Sequence, residues 1–196
     1  MKTRFHVLLP FVVGMAAFSS QVSASVVFFD DFTGDAGGTV TSLTNWTVAG
    51  GNVDVLVGSC SGSTCIDLEG TPGVAVNSTI TTSLDLVAGN YSFEFNYGNN
   101  SGGPNNTLTY DFGGGLVSGT IDTDSLSFTT LDTFTGSFTL ASAFTGFDIS
   151  FTSGGPADNS GSVLNSVTLT QVPEPSTLAL LALGFLGIGA RRRRIH

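Results

Sequence analysis

Between Phe5 and Ala190 this 196-residue chain contains no lysine and no arginine. All six basic residues sit at the ends, Lys2 and Arg4 at one and Arg191 to Arg194 at the other, and every acidic residue lies between them. A polyanion with no counter-charge is a poor partner for nucleic acid or anionic lipid, which both need a basic surface. Without lysine there is no P-loop and no Schiff base, so Gly113-Gly114-Gly115 reads as a turn. Histidine is missing from residues 7–195, since His6 and His196, in the two end segments, are the only two. A Ser-His-Asp or Cys-His nucleophile therefore has no base, and two cysteines alone do not complete a zinc site. Carboxylate pairs are the remaining catalytic option, as in glycoside hydrolysis. Glu69 and Glu94 are the only glutamates before the C-terminal segment, and nothing in their spacing sets either across a cleft from an aspartate. The expectation is a protein that is not an enzyme.

What the sequence does contain begins with its two ends. Lys2 and Arg4 precede an apolar stretch from Val7 to Phe18, and Val22-Ser23-Ala24 offers the small residues that a signal peptidase reads. Residues 1–24 are the pattern of a secretory signal peptide. At the other end, Val172-Pro173-Glu174-Pro175 leads into an uninterrupted apolar run from Leu178 to Ala190 and then Arg191, Arg192, Arg193 and Arg194. The prolines favour an extended link. As a helix the run would span roughly 20 Å, short of a hydrocarbon core of about 30 Å. The arginines would snorkel to the interface and keep that end cytoplasmic. In order and position these features resemble the PEP-CTERM sorting signal. The resemblance implies a precursor of a Gram-negative bacterium held briefly at the inner membrane. An exosortase-type protease would then cut it and release it to the surface or matrix.

Residues 25–171 remain as one domain, flanked by the signal peptide and by the sorting segment 172–196 with its short apolar helix. That length suffices for a core. Tyr91, Phe93, Phe95 and Tyr97 alternate with Ser92, Glu94 and Asn96, the pattern of a strand with one buried face. Leu108, Tyr110 and Phe112, then Phe147, Ile149 and Phe151, then Val163, Val167 and Leu169 repeat it, as do Val53, Val55 and Val57. Val26 to Phe32 reads as an apolar opening strand, and Gly98 to Asn106 as a long loop of turn formers. Short strands parted by Gly, Asn and Ser turns, with no helical periodicity, predict an all-β sandwich. Cys60 and Cys65 form a close pair in an exported chain, so a disulfide across a Gly-containing loop is expected.

One block goes further. Asn45-Trp46-Thr47-Val48, Gly51-Asn52-Val53-Asp54, Asp67-Leu68-Glu69-Gly70 and Gly89-Asn90-Tyr91-Ser92-Phe93-Glu94-Phe95 follow one another in order. This series resembles the choice-of-anchor family of galactose-binding-like jelly rolls and is similar to a domain of plant cell-wall proteins. It implies a jelly-roll β-sandwich at the cell surface and assigns no catalytic residue. Such lectin-type domains often carry Ca²⁺, for which Asp30, Asp31 and Asp67 are candidate ligands, although the spacing is not that of an EF-hand. For a glycan, Trp46 is the one tryptophan, weighed as a stacking ring against a core ring. Asn99 and Asn100 are candidate amide donors. The expected role is non-catalytic association with exopolysaccharide. Its rivals are a structural or adhesive surface protein that binds no sugar, and a carboxylate-dependent glycan-active enzyme.

Overall fold

Large apolar residues at every second position need a second surface to cover them, and two sheets packed face to face supply it. The computed structural model describes residues 23–71, 76–100 and 105–174, and Ser23–Glu174 forms one compact unit. Every regular element in these residues is a strand: β1 (Ser25–Asp30), β2 (Gly38–Val40), β3 (Thr47–Ala49), β4 (Val53–Cys60), β5 (Ser63–Asp67), β6 (Thr79–Leu86), β7 (Gly89–Asn99), β8 (Thr107–Phe112), β9 (Val117–Asp122), β10 (Asp132–Leu140), β11 (Phe144–Gly154) and β12 (Ser162–Val172). Among the described residues no helix is long and apolar enough to cross a membrane. The apolar run 178–190, expected as a helix, lies outside them, as do Pro175 and Arg191 to Arg194.

The larger sheet runs β10-β7-β12-β5-β4-β2, with β1 also paired to β12, and the smaller runs β3-β6-β11-β8-β9. All pairings are antiparallel. The protein is thus an all-β jelly-roll sandwich. β12 pairs with β7 along its whole length. On its other edge, Val163 and Leu164 face β5, and Val167 to Gln171 face β1.

The alternating residues of β7, β8 and β11 meet between the sheets. Phe93 stacks on Phe112 with ring centroids 4.0 Å apart, and Phe95 meets Phe151 edge-on at 4.9 Å. Each such contact adds about 0.5–1.5 kcal/mol beyond the area it buries. Gly136, paired with Phe93, makes room for that ring, because a Cβ there would stand 2.2 Å from Phe93 Cζ.

Cys60 and Cys65 are joined, fully buried, across a β4–β5 hairpin whose turn residues Ser61 and Gly62 both have positive φ. That is the turn that suits a two-residue hairpin. One alternation reading needs correction. Val57 is exposed, because the β4–β5 register shifts between Leu56 and Cys60. The opening strand is present but ends at Asp30 and not at Phe32. It lies beside β12 with a register shift between Val26 and Phe28, and Val26 and Phe29 stand out from the sheet.

Candidate binding site

The outer face of the larger sheet follows directly from the alternation that fills the core. With Phe93 and Phe95 turned inward, Ser92, Glu94 and Asn96 of β7 turn out, beside Thr133, Thr135 and Ser137 of β10 and Ser166, Thr168 and Thr170 of β12. Thr135 pairs with Glu94, Glu94 with Thr168, and Thr168 with Phe29. One row therefore crosses four strands as hydroxyl, carboxylate, hydroxyl and aromatic ring. With strands about 4.8 Å apart, the Phe29 and Glu94 positions are separated by about 10 Å. Phe29 is 56% exposed, which leaves its ring open to a partner. A groove of about 240 Å³ lies over the β10, β7 and β12 part of this row, lined by Ser92, Glu94, Thr135, Thr168 and Thr170 and not by Phe29 itself. Its neighbours knit themselves together: Thr133 Oγ1 donates to Asn96 Oδ1 at 2.7 Å, and Asn96 Nδ2 donates to Ser166 Oγ at 3.0 Å.

A larger hollow of about 580 Å³ lies at the β3 edge of the smaller sheet, bordered by Asn45, Trp46, Thr47, Thr81, Ser83 and Asp148. It offers hydroxyls but no open ring face. Trp46 is only 3% exposed, packed edge-on against Phe28 and Phe151, and its Nε1 donates to Asp30 Oδ2 at 2.8 Å. Trp46 is therefore a core ring and not a stacking platform. The smaller groove, with Phe29 beside it, is the better candidate despite its size.

The other sequence-derived residues are placed as follows. Asp30 Oδ1 accepts the Phe32 N–H at 2.8 Å, and its Oδ2 accepts Asn45 and Trp46, so its lone pairs tie the chain together locally. Asp31 accepts both the hydroxyl and the N–H of Thr33, and these bonds hold its carboxyl below the usual range. Asp67 is buried at the end of β5. Among the described residues no three His, Cys, Asp or Glu side chains gather into a metal-holding group, so Asp30, Asp31 and Asp67 are not brought together. In this body without lysine or arginine, Asp31, Asp35, Asp54 and Asp67 are met by Thr hydroxyls, Asn amides and backbone N–H groups. Asn99 and Asn100 also turn out to be structural. β7 continues through Asn99, whose Oδ1 accepts Asn106 Nδ2 at 2.8 Å, while Asn100 Nδ2 donates to Asp67 Oδ2 at 2.6 Å. Burial pushes the Asp67 carboxyl up to about 7, against the pull of its hydrogen bonds.

Comparison with known proteins bears on both parts of the chain. Residues 171–194 match the PEP-CTERM protein-sorting motif, which marks an exported protein sorted to the cell surface. Val172 is the last residue of β12, and Pro173 and Glu174 follow directly from it. The sandwich is similar to carbohydrate-binding and adhesin domains. The K1 cleaved adhesin domain of Lys-gingipain from Porphyromonas gingivalis W83 has a TM-score of 0.50 at 11% identity, covering 78% of this chain and 100% of that one. TmCBM61, solved with β-1,4-galactotriose, has a TM-score of 0.47 at 18% identity, covering 66% and 90%. A family 35 carbohydrate-binding module from Clostridium thermocellum has 0.43 at 12%, covering 76% and 98%. At such identities the likeness is one of fold. No curated protein matches the chain in sequence.

Proposed function

We propose that this exported protein is a non-catalytic, glycan-associating component of the bacterial surface or matrix, and that its ligand is exopolysaccharide. In this reading residues 1–24 are removed as a signal peptide, an exosortase-type protease processes the chain near Pro173-Glu174-Pro175, and residues 25–171 remain as the binding domain. The observation that carries the reading is the row Thr135–Glu94–Thr168–Phe29. A ring stacks on the apolar face of a sugar, while a carboxylate and two hydroxyls at sheet spacing accept and donate to sugar hydroxyls. Among the described residues Glu94 is the one carboxylate that lines the groove, whereas glycoside hydrolysis uses a pair.

The test is the mobility of the exported protein in native gels cast with the producer's own exopolysaccharide. The reading expects retardation that Phe29→Ala reduces several-fold and that Glu94→Gln reduces less. Equal mobility with and without polysaccharide would contradict it and favour the adhesive protein. That rival has an observation of its own, the exposed Val26, Val27 and Phe29 on β1.

A further inference from the structure

One end of the sandwich is closed by polar side chains rather than apolar ones. There the ends of β5, β7 and β11 and the starts of β8 and β12 converge, with Asp67, Glu69, Asn99, Asn106, Ser153 and Ser162 all buried. Two of these are carboxylates, in a body with no lysine, arginine or histidine to pair them. Asp67 is provided for. Its Oδ1 accepts the N–H groups of Glu69 at 2.9 Å and Gly161 at 3.2 Å, and its Oδ2 accepts Asn100.

Glu69 is not. It is 0% exposed; Oε2 accepts the Ser160 N–H at 3.1 Å, and Oε1 is buried with no hydrogen-bond partner. Asn106 is left in the same state on the other side of Ser160. Its Nδ2 donates to Asn99 Oδ1 and to the Ser160 carbonyl. Two acceptors on one nitrogen fix the amide's orientation, and Oδ1 is left buried and unmet.

Two of the nearby hydroxyls bond elsewhere, Thr123 Oγ1 to the Asn106 carbonyl at 3.1 Å and Ser160 Oγ to the Asn100 carbonyl at 3.3 Å, while Ser153 Oγ accepts the Ser162 N–H at 3.1 Å. The other unmet buried atoms among the described residues are also carboxamide oxygens, Asn52 Oδ1 and Asn77 Oδ1. They belong to the same end. Gly70, next to Glu69, bonds to the Asn52 carbonyl, and Asn77 Nδ2 donates to the carbonyl of Gly155.

Two glycines keep the place open. A Cβ at Gly161 would stand 2.6 Å from Glu69 Cβ and 2.8 Å from Asp67 Oδ1, and one at Gly155 would stand 2.8 Å from Asn106 Oδ1. Unmet donors and acceptors of both kinds would suggest loose packing. A set made only of oxygen lone pairs, one of them on a buried carboxylate, calls for positive charge.

We propose that this polar end binds one divalent cation, Ca²⁺ by its ligand chemistry, with the Glu69 carboxylate and the Asn106 carboxamide oxygen as side-chain ligands and Asp67 as the neighbouring carboxylate. Hard oxygen ligands, both charged and neutral, suit Ca²⁺, which takes six to eight of them in flexible geometry. The site is independent of the glycan groove, so either can fail without the other.

The experiment compares thermal unfolding of the exported protein after chelation with unfolding in millimolar CaCl₂ or MgCl₂. Calcium is expected to raise the midpoint by several degrees, saturably and reversibly with chelator, and magnesium to raise it less. Glu69→Gln should lose the calcium response, yet in chelator be at least as stable as the parent, because the unpaired buried charge is gone. Should that variant fail to fold, amide exchange in the parent decides the matter: calcium should slow the Ser160 and Gly161 N–H groups. Unchanged unfolding and exchange in calcium would overturn the proposal and leave the end filled by water. A calcium response that survives Glu69→Gln would overturn it by placing the ion elsewhere, on the exposed aspartates.

Discussion

Glu69 and Glu94, the only glutamates between residues 25 and 171, occupy opposite environments. Glu94 stands on an open sheet face among hydroxyls, where water completes whatever its neighbours do not supply. Glu69 lies just past the end of β5, sealed from solvent, with one oxygen unmet. The same side chain thus belongs in one place to a solvated surface and in the other to a site that is incomplete without a partner. Burial, rather than residue type, makes the difference.

The contrast is sharpened first by moving one residue along β7, from Glu94 to Phe93 on the inner face. Phe93→Ala should cost about 3–5 kcal/mol in urea unfolding, by the same amount with calcium or with chelator. An effect under about 1 kcal/mol would mean that the stack on Phe112 is not what holds the sheets.

The next largest effect is one of pH on the chelated protein. An unfolded aspartate loses its proton near 4, whereas the folded Asp67 carboxyl keeps it to about 7. Between these values the folded state holds a proton that the unfolded chain has released, so raising the pH disfavours folding. The contribution is whole below about 4 and lost by about 7. The midpoint should therefore fall by several degrees over that window, and Asp67→Asn should flatten the curve. A midpoint that rises through the window would reverse the sign and refute the assignment.

Gly161→Ala comes third. Its methyl would press on Glu69 and Asp67, at a cost of about 1–3 kcal/mol, and the calcium response should shrink with it. Smallest of all, Glu94→Gln should leave stability within about 0.5 kcal/mol of the parent in either buffer while weakening retention by polysaccharide. A larger loss of stability would mean that Glu94 is not the solvated member of the pair.

Much of this fold was legible in the sequence because sheet alternation has a short period. Tyr91, Phe93, Phe95 and Tyr97 all lie inside as expected, and Cys60 and Cys65 bridge a tight hairpin. Alternation failed where register shifts, at Val57, because a bulge resets which side chains face the core. Asn99 was hidden by its composition. Its neighbours are turn formers, but pairing with Ser162 extends β7 through it. Glu69 left no local signal at all. Asp67, Leu68 and Glu69 are buried in succession, which no strand period describes, since the segment is wedged between Ser162 and Ser78 by backbone bonds distant in sequence. Phe29 left no signal for the converse reason: its exposure follows from the position of β1 beside β12 and not from its own neighbours.

The most direct test of where a glycan sits is footprinting of surface side chains with and without fragments of the producer's exopolysaccharide. The account predicts protection concentrated on Phe29 and on the β7, β10 and β12 residues around Glu94. Protection confined to the hollow beside Trp46, or to the polar end around Ser160, would contradict it.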